Sequence, residues 1–144
     1  MSAPVIDLPG RMNAATYFVD ANVEAGRGGK AAIFDAGDGS VHTYQDVWSM
    51  VNRTGNALRE LGVRPEERVM LLLLDSPELA FSFFGAIKIG AVAVPVNTLL
   101  KPQDYEYLLN DSRARVLIVN LELVKPEQMP GWRHVCVVSP ARPS

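Results

Sequence analysis

The stretch "GRGGKAAIF", residues 26–34, sets Gly26, Gly28, Gly29 and Lys30 just before an apolar run. Glycines followed by lysine suit a phosphate-wrapping loop, because bare backbone lets successive N–H groups converge on an anion while the ammonium adds charge. The order here does not fulfil that chemistry. A phosphate loop runs Gly-x-x-x-x-Gly-Lys-Ser/Thr into a helix, so that the hydroxyl can hold magnesium. Gly26 and Gly29 lie too close together, Ala31 stands where the hydroxyl is required, and Ala31 to Phe34 has strand character. A helix stop followed by a turn accounts for the glycines. Gly37-Asp38-Gly39 fails as a dinucleotide-binding turn, since His42 occupies the third glycine position. It reads as the turn of a hairpin between "KAAIFDA" and "SVHTY".

Other reactive side chains are sparse. Asp75-Ser76-Pro77-Glu78 follows the apolar run "VMLLLL" and could set a carboxylate and a hydroxyl in a crevice. The same residues make a helix start, with Asp75 or Ser76 as cap, Pro77 in the first turn and Glu78 at the positive end of the dipole. A serine nucleophile would need a positioned base, and no spacing ties His42 or His134 to Ser76. Asn97 and Thr98, after Pro95 at a strand end, are candidates for ligand proximity, although a turn explains them equally well. Asp104, Glu106 and Asp111 read as the solvated face of a short helix. The lone Cys136 in "VCVV" excludes an internal disulfide and reads as a small buried apolar residue. With one cysteine and two separated histidines no zinc-like cluster is expected, while a carboxylate magnesium site stays open.

The elements that must position these residues follow from periodicity. At 144 residues with 48% apolar and 21% charged side chains, the chain can bury a core and should fold. A net charge of -2 without any Lys/Arg block argues against a nucleic-acid or anionic-membrane surface. No apolar run is long enough to span a bilayer and no leader pattern opens the chain, so the cytoplasm is the expected location.

Residues 1–12 read as an extended lead-in. Asn13 offers a cap to a helix with Ala14, Tyr17, Phe18, Ala21 and Ala25 on the expected docking face. Thr43 and Asp46 form a capping-box pair, and Tyr44, Val47, Trp48, Val51, Gly55 and Leu58 recur at helical spacing until Gly62. Gly55 on that face suits close helix packing. Beyond Glu67, continuous apolar runs ("RVMLLLL", "AVAVPV", "RVLIV", "HVCVV") alternate with helical stretches at Pro77–Ile89 and Gln103–Asn110. That alternation predicts an α/β fold, a mainly parallel sheet with helices on both faces, preceded by an N-terminal helix and hairpin. The helix "PELAFSFFGAIKIG" is apolar around most of its circumference, so Phe81, Phe83 and Phe84 are expected in the core. The tail, 140–144, reads as linker-like.

Two stretches carry a resemblance. "HTYQDV" is similar to the first core motif of the adenylate-forming acyl- and aryl-CoA ligases, and "GAIKIGAVAVPVNTLL" to their second. The lead-in "NAATYFVDANVEAGRGGKAAIF" resembles benzoate-CoA ligases in particular, and the likeness runs over about residues 12 to 120. It implies that residues 13–139 form part of the N-terminal domain of such an enzyme. It further implies, for the full-length protein, ATP, magnesium and CoA, and the conversion of a benzoate-like acid to its CoA thioester through an acyl-adenylate. The family's Ser/Thr/Gly-rich phosphate loop, ribose-binding Asp and adenylation Lys do not occur here, so the resemblance assigns no catalytic, cofactor-binding or metal residue. Tyr44, Gly90, Pro95 and Asn97 match its structural positions, and Lys101 and Lys125 could approach a CoA phosphate in a complete enzyme. The segment "NLELVKPEQMPGWRHVCVV" is shorter than the family's usual connection, which leaves the position of "HVCVV" in the sheet open.

The leading expectation is a chain inactive by itself, completed by the remainder of a ligase or associating through exposed apolar surface. The alternatives are a stand-alone interaction module with a ligase-like sheet and a separate small α/β enzyme.

Overall fold

A computed structural model describes residues 9–124 and 135–138. The expected tail, most of the lead-in, His134 and Lys125 lie outside the described residues. The hairpin forms as read: β1 (Ala31–Phe34) pairs antiparallel with β2 (Val41–Thr43). Asp35 and Asp38 tie the turn by accepting from the amides of Gly37 and Ser40, each at 2.7 Å. These local side-chain bonds are what favours Asp in turns. The hydrogen bonds from Ser40 hold the Asp38 carboxyl below its usual pKa.

Helix α1 (Tyr44–Glu60) starts at a complete capping box. The Thr43 amide and hydroxyl both donate to Asp46 Oδ2, at 2.8 and 2.7 Å, and Asp46 N–H donates back to Thr43 Oγ1 at 3.2 Å. Accepting those two bonds lowers the Asp46 pKa. The helix buries Val47, Val51, Gly55 and Leu58 and ends before Gly62, whose φ of 82° only glycine adopts freely.

The N-terminal helix departs from the expected face. Asn13 caps it, its Oδ1 accepting from Ala15 N–H at 3.0 Å, but the backbone widens into π-helical turns at Thr16–Asp20 and Val23–Arg27. A wider turn shifts the repeat toward every fourth residue or more. Ala15 and Val19 are therefore the buried pair, while Tyr17 and Phe18 are 48% and 54% exposed. The helix is fastened to the far end of α2 (Pro77–Lys88). Asn13 Nδ2 donates to the Ile87 carbonyl at 2.8 Å, and Lys88 Nζ meets Asp20 Oδ1 at 2.7 Å with its ammonium over the Trp48 ring.

Four parallel strands form the main sheet in the order β4-β3-β5-β6: β3 (Arg68–Leu72), β4 (Val92–Pro95), β5 (Val116–Asn120) and β6 (Val135–Val138). The described part of "HVCVV", Val135–Val138, thus takes the outer place beside β5. Side chains alternate between faces. Val69, Leu71 and Ile118 join Leu58, Ala86 and Ile89 of α1 and α2 on one face. Met70, Leu72, Leu117 and Val119 join Tyr105 and Leu109 of α3 (Pro102–Ser112) on the other. Coverage on both sides explains the unbroken apolar runs of β3 and β5. Helix α2 is held on two sides, Phe81 meeting Val47 and Val51 while Phe83 packs toward the sheet.

The two helices meet through glycines. A Cβ on Gly55 would lie 3.3 Å from the Gly85 carbonyl oxygen, and one on Gly85 would lie 2.9 Å from both Cβ and Cγ2 of Thr54. Thr54 Cβ is fixed to the backbone, so no rotamer change relieves that overlap. Gly85→Val should lower stability by about 2–3 kcal/mol through overpacking. Gly29→Ala, with open space and an ordinary φ, should change it by less than about 0.5 kcal/mol. Denaturant unfolding of the two variants compares them directly; equal effects would remove the close helix contact from the account.

Candidate functional site

The glycine-rich loop is used for structure. The carbonyls of Lys30 and Gly28 accept from the amides of Tyr44 and Gln45, at 3.0 and 2.9 Å. These amides belong to the first turn of α1, which lacks intrahelical acceptors. The loop therefore turns acceptors toward a helix start, whereas a phosphate cradle must present donors. Gly26, with φ of 77°, breaks the helical geometry within Val23–Arg27, a kink one turn before the loop, where its type suggested a stop.

Parallel strands put their carboxyl ends on one edge of the sheet, where ligands of open α/β folds gather. That edge brings together Asp75–Glu78 after β3, Asn97 and Thr98 after β4, and Asn120 at the end of β5. Ser76 is the residue before α2, but its hydroxyl donates to Glu78 Oε2 at 2.7 Å and makes no cap bond to backbone. His42, the one described histidine, shares a 3.3 Å hydrogen bond with Ser40 and sets its ring edge-on to Phe81. No hydrogen bond couples it to Ser76 among the described residues.

Asn97 closes a local turn, its Oδ1 accepting from Leu99 N–H at 2.9 Å. The loop after β4 is also tied from below by Tyr105, only 4% exposed. Its hydroxyl donates to the Asn97 carbonyl at 3.1 Å and accepts from Leu100 N–H at 3.2 Å. Sequence reasoning missed Tyr105 because a tyrosine on an otherwise acidic helix announces core packing, not the far-reaching hydroxyl. It missed Asn120 as well, a 5% exposed polar residue ending β5 whose Oδ1 accepts from Glu122 N–H at 3.0 Å. A polar residue closing an apolar run was the available signal.

Asp104 is exposed and bonds the Lys101 amide at 3.0 Å; Glu106, Asp111 and Lys101 are exposed as well. Cys136 is half-buried instead of fully buried, and burial raises its thiol pKa. It lies on the floor of an apolar groove of about 400 Å³ that opens between α1 and the start of α2, lined also by Met50, Leu61, Glu78, Phe81 and Ile118.

Among the described residues no group of three His, Cys, Asp or Glu side chains converges as a metal site would require. Among the described residues the carboxyl edge offers two exposed carboxylates, Asp75 and Glu122, on the loops after different strands, and one already engaged, Glu78. These residues do not fit as a self-sufficient binding site for magnesium and a nucleotide.

Comparison with known proteins accounts for such a scaffold. Residues 19–141 match the family model described as AMP-binding enzyme. The chain belongs to that family. The benzoate–CoA ligase of Thauera aromatica is 46% identical over 122 residues, which are 84% of this chain and 23% of the relative. The 3-hydroxybenzoate–CoA ligase of Aromatoleum sp. (strain CIB) is 42% identical over 78% of this chain and 21% of its own length.

Two solved structures share the fold. An anthranilate CoA ligase in complex with anthranoyl-AMP superposes with a TM-score of 0.80 at 44% identity, covering 91% of this chain and 26% of that one. A benzoate CoA ligase from Burkholderia xenovorans LB400 gives 0.79 at 38% identity, covering 90% and 26%. The resemblance to the N-terminal part of aryl-CoA ligases, and the partial α/β fold expected from it, are thereby borne out. The chain spans about a quarter of the length of the relatives it matches.

Tyr105→Phe should free the loop after β4. Losing both hydroxyl bonds costs about 1–3 kcal/mol, and the Leu100 amide is left without its acceptor. Hydrogen exchange at Leu100 should accelerate roughly tenfold, since each 1.4 kcal/mol of lost protection is a factor of ten. Unchanged exchange there would show that Tyr105 does not hold the loop.

Proposed function

We propose that this chain is the first part of an ATP-dependent aryl-CoA ligase. The supporting observation is its 46% identity to a benzoate–CoA ligase across 84% of its own length. In the complete enzyme an aromatic carboxylate would attack the α-phosphorus of ATP and release pyrophosphate. The CoA thiol would then attack the acyl carbon and release AMP. Magnesium would neutralise phosphate charge during the first step.

Within that reaction residues 13–139 act as scaffold. They supply the sheet whose carboxyl edge carries the loops after β3 and β4, while the phosphate-binding and catalytic groups come from other parts of the ligase. The 144 residues alone are inactive and bind neither ATP, magnesium nor CoA productively. The remainder of the ligase is the partner that completes the site, and the cytoplasm is the proposed location. A stand-alone interaction module is the second reading, favoured by the open apolar groove beside Cys136.

Calorimetric titration with a non-hydrolysable benzoyl-adenylate analogue tests the assignment. A longer ligase polypeptide that includes the phosphate loop should bind it saturably, and the 144-residue chain should give no binding heat. Saturable binding to the short chain would mean that its own residues build part of the acyl-adenylate pocket.

A further inference from the structure

Asp38-Gly39, in the turn of the hairpin, is the one Asp-Gly pair in the sequence, and no Asn precedes a glycine. Such a pair has the groups to rewrite its own backbone. The Gly39 amide nitrogen attacks the Asp38 carboxyl carbon and forms a C–N bond, while the amide proton and the carboxyl's hydroxyl leave as water. A five-membered imide results. Water then adds at the Asp38 main-chain carbonyl and breaks that carbon's bond to the Gly39 nitrogen. The chain now continues through the former side chain as isoaspartate, with one more methylene in the backbone and one water released for one consumed. Both residues are exposed, and glycine carries no side chain to crowd the attacking nitrogen.

The folded turn withholds both reacting groups. The Gly39 N–H donates to the Asp35 carbonyl at 2.9 Å, so the nitrogen keeps the proton it must lose to attack. Asp38 Oδ1 accepts from the Ser40 N–H at 2.7 Å, which engages the carboxyl with the next residue but one. The hydrogen bonds from Ser40 also hold that carboxyl in its ionised form, a poorer electrophile than the neutral acid. Asp35 braces the same turn a second time, its Oδ1 accepting from the Gly37 N–H at 2.7 Å.

We propose that Asp38 is a modification site gated by the hairpin turn: isoaspartate forms there when the turn opens and is suppressed while it is closed. The inference is independent of the ligase reading. Once made, the change keeps the turn open. Two bonds span the altered linkage, Gly39 N–H to the Asp35 carbonyl and Asp35 N–H to the Ser40 carbonyl, both at 2.9 Å, and an added methylene spoils the geometry of each. The pairing of Phe34 with Val41 adjoins the turn, and β2 leads directly into Thr43, the cap of α1. Conversion at Asp38 therefore loosens the support of the first helix.

Ageing the 144-residue chain at neutral pH, folded in buffer and unfolded in guanidinium chloride, tests this. Isoaspartate is counted with an isoaspartyl O-methyltransferase and labelled S-adenosylmethionine, and located by peptide mapping. The unfolded chain should accumulate it at Asp38, and the folded chain at least about tenfold more slowly, as a turn that opens only locally and briefly requires. Asp35→Ala removes the brace at Gly37 and keeps the Asp38-Gly39 pair; it should age roughly fivefold faster than the folded parent, the effect of one lost hydrogen bond. Asp38→Glu, which would have to close a six-membered ring, should abolish the signal. Equal rates in the folded and unfolded parent would overturn the gating, and isoaspartate mapped to other residues of the unfolded chain would overturn the site. A folded Asp35→Ala that ages no faster than the parent would remove the turn bonds as the gate. Should that variant unfold, amide hydrogen exchange at Gly39 in the parent decides instead: protection supports the gate, and exchange at the unprotected rate overturns it.

Discussion

The close approach of α1 and α2 sets the rest of the structure. Gly55 and Gly85 let the two backbones come near enough that a Cβ on Gly85 would overlap Thr54. At that separation α1 and α2 form one layer, with Leu58, Ala86 and Ile89 lying together over Val69, Leu71 and Ile118. The same contact leaves Phe81 to fill the space toward Val47 and Val51, where the hairpin residues Ala32 and Ile33 also pack. The N-terminal helix then has a fixed surface to dock on, fastened by Asn13 to the Ile87 carbonyl and by Asp20 to Lys88. A larger residue at either glycine would separate the layer and loosen every element that leans on it.

The layer also explains why the chemistry is thin. Around it polar groups are spent on backbone: Lys30 and Gly28 carbonyls of the preceding loop on the start of α1, Asp46 on the Thr43 amide, and, on the opposite sheet face, Tyr105 of α3 on the loop after β4. Each satisfies a donor or acceptor that folding would otherwise leave unpaired. The described loops at the carboxyl edge are thereby tied by local hydrogen bonds, as the proposed scaffold role requires.

Much of this was legible in the sequence because the signals were local. The Thr43/Asp46 pair, the stop at Gly62, and the apolar runs of β3 and β5 each follow from a short-range rule that tertiary structure does not overturn. The face of the N-terminal helix was not legible, because π-helical widening changes the repeat and nothing in "NAATYFVDANVEAG" announces it. Gly85 passed unremarked within "FFGAIKIG" because its role depends on Thr54, a residue 31 positions earlier that only folding brings near. The reach of the Tyr105 hydroxyl and the groove at Cys136 likewise depend on elements meeting at a distance. The resemblance to aryl-CoA ligases supplied the function class that local physics could not.

On the proposed reading these residues form a folded scaffold whose catalytic groups lie elsewhere in an aryl-CoA ligase. Benzoate-dependent exchange of labelled pyrophosphate into ATP tests it most directly, because the exchange requires the adenylation step and no later one. The 144-residue chain alone should give no exchange, and exchange should appear once the chain is joined to the remainder of a related ligase. Benzoate-dependent exchange by the 144 residues alone would contradict it.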